Sequence, residues 1–174
     1  VLGPAFGDWW GPVTQADDAR QQEIARWKQA LTPAVLAGAD LRQGRAMFER
    51  TCAACHQLYD QGGKIGPDLT GSNRTQLDYL LSEIINPSEV IQDAYRLVTV
   101  TTRDGRTLAG NVAAEDDRQL TLRLIGEDTR IEKADILSRD TSSASMMPEG
   151  LLQTLSPDEV RDLIAYLQTA APTP

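Results

Sequence analysis

The segment "TCAACHQ" holds both cysteines of a 174-residue chain, Cys52 and Cys55, and its single histidine, His56. No other feature restricts the fold as much, because all three soft or ligating side chains of these types must serve one site. A zinc centre needs four ligands when structural and usually three protein ligands when catalytic. Here a third ligand would require adjacent residues 55 and 56 on one ion, which is sterically poor, and no second Cys or His pair exists. A redox C-x-x-C belongs at a strand-to-helix junction, whereas this pair follows a helical pattern. A plain disulfide would leave His56 without a role.

The remaining chemistry for C-x-x-C-H is covalent attachment of a haem. Two thiols three positions apart reach the two vinyl groups along one side of a porphyrin and form thioethers. The next residue then carries an imidazole to the iron, so Cys52, Cys55 and His56 are the expected cofactor-binding residues of a single haem c. With no second histidine, a six-coordinate iron needs a methionine on its other face, unless that face is open or uses a weaker donor. Met47 lies on the attachment helix and suits core filling. Met146 and Met147 stand together in "SASMMPEGLL". Neighbours in an extended segment point opposite ways, and Pro148 confines Met147 to extended conformations. Met147 is therefore the expected second metal ligand beside His56, with Met146 against the haem edge or the core. In "KIGPDL" the Gly66–Pro67 turn offers a backbone acceptor for the ring N–H of His56, which fixes tautomer and orientation. Arg74 or Lys64 could pair with a haem propionate.

Around this site the chain alternates between two textures. "VLGPAFGDWWGP" is an irregular lead-in that Trp9 and Trp10 could anchor, and "TQADDARQQEIARWKQALTP" has helical spacing up to Pro33. "DLRQGRAMFERTCAAC" continues as a helix capped by Asp40 that carries both thiols to one neighbourhood. The stretch from His56 to Asn73 is loop, and "RTQLDYLLSEIINP" is an amphipathic helix. Between about Asp93 and Asp140 the period becomes two, with Asp104–Gly105 as a hairpin turn, so four or five short antiparallel strands are expected. "SPDEVRDLIAYLQTA" is a final helix, with Ser156 and Glu159 forming a capping box behind Pro157.

Together, "GRAMFERTCAACH", "GPDL", "MMPEGL" and "LSPDEVRDLIAYL" resemble a class I cytochrome c domain. The resemblance implies a mainly α cytochrome c fold in which Gly44 and Phe48 of the attachment helix cross Tyr166 of the last helix. The stretch from about Asp40 to Thr169 is more specifically similar to the C-terminal haem-binding domain of large secreted proteins of planctomycete and verrucomicrobial type. On that likeness residues 1–39 are a connecting segment and residues 40–174 the cytochrome domain. The chain starts at Val1 without an initiator Met, as expected of a processed protein or a piece of a longer one. The interval from His56 to Met147 exceeds what a compact three-helix cytochrome needs. The β segment at about 93–140 is thus expected as an insertion between the third helix and the distal Met loop, similar to a small SH3-like barrel.

The formal charge of −8 argues against nucleic acid as a partner, because phosphate binding needs a basic face, and no apolar run approaches the length of a membrane span. The expected function is a mono-haem one-electron carrier rather than an enzyme. Its expected partners are a redox protein or the domains of a larger parent chain, in the periplasm or another extracytoplasmic space. The alternatives are a five-coordinate haem enzyme or gas sensor with a labile distal Met, or an interaction module in which the haem is a staple.

Overall fold

A computed structural model describes residues 11–172; the lead-in with Trp9 and Trp10 lies outside the described residues. The first helix, α1 (Gly11–Ala30), is followed at once by a short α2 (Pro33–Ala37). Pro33 therefore opens a new helix as well as ending the pattern before it. It occupies a first-turn position whose N–H would have had no helical partner, and Thr32 caps that turn by accepting from the Val35 N–H at 3.3 Å.

The attachment helix, α3 (Leu41–Thr51), begins where the Asp40 carboxylate accepts from the N–H groups of Arg42 and Gln43. It stops at Thr51, earlier than its apolar spacing suggests, and Cys52 is its C-cap. α4 (Leu77–Ile85) lies against α1, with Lys28 and Asp78 paired at 2.8 Å. The last helix, α5 (Pro157–Leu167), carries the expected capping box: the Ser156 hydroxyl accepts from the Glu159 N–H, and the Glu159 carboxylate accepts from the Ser156 N–H at 2.8 Å.

The crossing of α3 over α5 organises the helical body. A Cβ on Gly44 would sit 2.1 Å from the Asp162 carbonyl oxygen and 2.6 Å from the Tyr166 Cβ, so only a hydrogen lets the two backbones meet. One turn on, the rings of Phe48 and Tyr166 pack with centroids 5.9 Å apart and planes tilted by 48°. Asp162 is buried beside this contact and accepts from the Asp40 N–H and the Arg161 guanidinium. Met47, Phe48, Leu81, Val160, Leu163 and Ile164 belong to the main core.

The period-two stretch forms one antiparallel sheet of five strands. β3 (Val98–Thr102), β4 (Thr107–Glu115), β5 (Gln119–Arg123), β6 (Asp128–Glu132) and β7 (Ile136–Thr141) lie in the order β6-β5-β4-β3-β7; the two-residue strands β1 (Gln57–Leu58) and β2 (Gln61–Gly62) form a short hairpin within the site. The expected small barrel is an open sheet. Register shifts at Thr101/Thr102 and Val112/Ala114 bend it, but a 3-10 turn, Lys133–Asp135, carries the chain from β6 across to β3, where β7 pairs. Both β6 and β7 are left as edges, and Glu115 reaches Lys133 at 2.8 Å and Arg139 at 3.0 Å by side-chain ion pairs. The alternating residues Val98, Val100, Leu120, Leu122 and Ile131 form a second core, separate from the helical one. At the root of the sheet the Ser142 N–H donates to the Leu97 carbonyl at 2.9 Å.

Candidate functional site

Beyond the end of α3 the chain turns tightly. The N–H groups of Cys55 and His56 both donate to the Cys52 carbonyl, at 3.0 and 2.9 Å. This turn, rather than a continued helix, presents the two thiols, both of which are free and half-buried. Burial pushes the Cys52 thiol up to about 12, with Cys55 beside it adding to the shift, and burial raises Cys55 too. Thiols held protonated are poor metal ligands and poor redox nucleophiles. Among the described residues no group of three or more His, Cys, Asp or Glu could hold a metal ion. The zinc reading therefore has no donor set.

His56 starts a segment that doubles back over the attachment turn. β1 (Gln57–Leu58) pairs with β2 (Gln61–Gly62) around Tyr59 and Asp60, both with positive φ. Gly62, at φ 116, passes so close that a Cβ would lie 2.1 Å from the His56 carbonyl oxygen. Next, the Gly63 N–H donates to the Ala53 carbonyl, the Gly66 N–H to that of Cys55 and the Leu69 N–H to that of Gln57, all within 2.8–2.9 Å. Residues 62–69 are thereby laced onto the cysteine turn.

The lacing fixes the His56 ring from two sides. A Cβ on Gly66 would lie 2.6 Å from its Cε1 and 2.8 Å from its Nδ1, so the Gly66 backbone packs directly on the imidazole. On the other side Nδ1 is 2.8 Å from the Pro67 carbonyl oxygen. A carbonyl can only accept, so Nδ1 carries the proton and the Nε2 lone pair is left for a ligand. Burial lowers the His56 pKa, outweighing the Pro67 bond that raises it, and so keeps the ring neutral. Free thiols at the right spacing, a neutral imidazole of defined tautomer and a glycine cradle fit a covalently held haem.

Met146 and Met147 sit on a different segment from the attachment helix that carries Met47. Met47 is buried in the main core. Met146 and Met147 are both half-buried, so burial does not choose between them. Their segment is held by the Met147 N–H donating to the Ser145 hydroxyl and the Ser145 N–H donating to that of Ser88, each at 3.1 Å. Beyond it, Glu149 pairs with Arg20 of α1 at 3.1 Å.

Two residues behave differently from a sequence-based expectation. Arg74 is buried, and its guanidinium donates to the carbonyls of Leu69 at 3.1 Å, Leu167 at 2.6 Å and Thr169, with the Tyr59 ring 5.1 Å away. It ties the end of α5 to the proximal loop, leaving few donors for a propionate. Asn111 of β4, unremarkable in an alternating strand, is buried and donates through Nδ2 to the Ile65 carbonyl. A cleft of about 480 Å³ between α1 and residues 152–157 is lined by Arg26, Trp27 and Leu152 among others. It includes none of the residues above and is not the attachment site.

These elements agree with what a family comparison finds. The chain belongs to the cytochrome c family, whose pattern matches residues 41–171. No curated protein matches it significantly. Membership makes this a c-type haem electron-transfer protein, with haem attached covalently through Cys52 and Cys55. No helix among the described residues is long and apolar enough to cross a membrane.

Proposed function

We propose that the protein is a mono-haem, one-electron carrier with His56 and Met147 on opposite faces of the iron. It works outside the cytoplasm between a dehydrogenase, which could be part of a longer chain of the secreted planctomycete type, and a downstream acceptor. The observation that carries this reading is the 2.8 Å contact of His56 Nδ1 with the Pro67 carbonyl. It fixes the tautomer that offers Nε2 and makes the imidazole a stronger donor.

The bound haem supplies a reversible one-electron iron couple. The chain's own groups decide how that couple is used. Cys52 and Cys55 hold the macrocycle in one orientation. Gly66 and Pro67 keep the His56 ring from rotating. The Met147 thioether, a soft and weak donor, favours the reduced state, and a donor on each face leaves no open position for a substrate.

The test is the electronic spectrum of the oxidised holoprotein beside Met147→Ala and Met146→Ala. The parent should show the weak near-infrared band of an iron–methionine sulfur bond, and only Met147→Ala should lose it. A high-spin parent spectrum that shifts with low concentrations of cyanide or carbon monoxide would mean an open face and an enzyme or sensor.

A further inference from the structure

The sheet has its own hydrophobic core, separate from that of the helical body. Yet Asn111, paired with Arg123 inside the β4–β5 ladder, turns its side chain out of the sheet and donates to the Ile65 carbonyl. Among the described residues its Oδ1 is buried without a partner. An orphaned acceptor at a site 2% exposed is a cost that an apolar side chain would avoid. The Nδ2 bond is thus the one evident return for a buried amide here. Ile65 is itself buried, and the two residues after it are the pair that grips His56: Gly66 against the ring face, Pro67 on Nδ1.

We infer that Asn111 is a positioning residue for the axial histidine. By anchoring the Ile65 carbonyl it holds the Gly66–Pro67 backbone against the imidazole, so the inserted sheet sets the strength of the His56–Pro67 hydrogen bond and through it the reduction potential. A tighter Nδ1–H···O bond raises imidazole basicity and stabilises the ferric state. Freeing Ile65 loosens that bond and moves the potential upward. The inference rests on the ligation of iron by His56 proposed above.

The experiment compares the midpoint potential of the holoprotein with Asn111→Leu, Asn111→Ala and the control Leu137→Ala, an exposed residue of β7. Amide exchange at Gly66, whose N–H donates to the Cys55 carbonyl, is followed in parallel. Both Asn111 variants should shift the ferrous-to-ferric equilibrium about tenfold toward ferrous, ~59 mV for a one-electron couple. They should also speed Gly66 exchange and leave the near-infrared methionine band in place, whereas Leu137→Ala should change none of these. If leucine does not fold, alanine decides on the same terms. An unchanged potential with a lowered melting temperature would overturn the inference and leave Asn111 a purely structural clasp. A parent ferric spectrum without a histidine-ligated signature would instead defeat the ligation reading, and this inference with it.

Discussion

Gly66 carries a constraint that no side chain could express, because its missing Cβ is the space the His56 ring occupies. Gly66→Ala should push the imidazole away from Pro67 or push the loop away from the ring. Either displacement should cost about 1–3 kcal/mol, the usual range for overpacking, and weaken the proposed His56–iron bond, which the oxidised spectrum would report. Gly71→Ala is the matched comparison, since among the described residues nothing lies within 4 Å of a Cβ there. Guanidinium unfolding of the two holoproteins, with their spectra recorded before denaturation, checks the difference. A Gly66→Ala protein as stable as Gly71→Ala would show that the loop gives way freely and that the cradle is not rigid. Arg74 is a second constraint at this scale. A buried guanidinium surrounded by backbone carbonyls is satisfied at the C-terminal end of α5, where the helix dipole also favours a cation.

At the level of elements, the capping box of α5 is the clearest case of sequence specifying a boundary. Ser156→Ala removes the acceptor for the Glu159 N–H and should lower stability by about 1 kcal/mol, read from the urea midpoint at unchanged slope. The Arg50–Glu159 ion pair at 3.1 Å should survive it. This helix, α3 and α4 were legible because apolar residues recur at helical spacing, and side-chain caps mark the starts of α3 and α5. The attachment turn was legible in its chemistry but not its geometry: the spacing of Cys52 and Cys55 suits a helix, and only the two bonds to the Cys52 carbonyl show that it has already ended. The β1–β2 hairpin was not legible. Its turn places Tyr59 and Asp60 at positive φ without the Asn–Gly signature of such turns. What holds it is remote, with the Tyr59 hydroxyl bonded to Thr169 and the Tyr59 N–H to the Thr70 hydroxyl. Asn111 was hidden for the same reason, since period-two reading places a residue on a face without saying what lies opposite.

Over the whole molecule, two hydrophobic cores joined at few points make two structural units of unequal character. The helical unit holds the attachment site, and the sheet depends on its own interior and on ionic contacts across its open side. Glu115 is central to those contacts: side-chain bonds from Lys133 and then Arg139 hold its carboxyl below the usual value. A depressed carboxylate pKa adds stability above its unfolded value, near pH 4.5, and that contribution disappears as pH falls through the folded value. Glu115→Gln should thus be less stable than the parent at pH 7 by about 0.5 kcal/mol, as befits a solvent-screened pair. The two proteins should converge below the folded carboxyl pKa. Thermal unfolding followed by circular dichroism across pH 3–7 measures this, and a gap that persists at the acid end would exclude the ionic account. The alternation of β3 to β6 foretold most of the sheet, whereas β7 is exposed beyond Ile136 and carries no such alternation; the failure to close depends on where the Lys133–Asp135 turn delivers β7, which no local pattern encodes.

The pairing of β3 with β7 brings the first and last strands of the sheet side by side, and the Leu97–Ser142 bond seals their base. To the helices the whole excursion is therefore topologically a hairpin loop. The chain leaves and re-enters the helical body close by, with the Ser145 N–H 3.1 Å from the Ser88 hydroxyl, however many residues lie between. Once the sheet has formed, the entropy of bringing Met147 back to the helical body is that of closing a short loop and not a long one. A domain of this kind can be enlarged through that doorway without lengthening the search that returns the methionine segment to the helices.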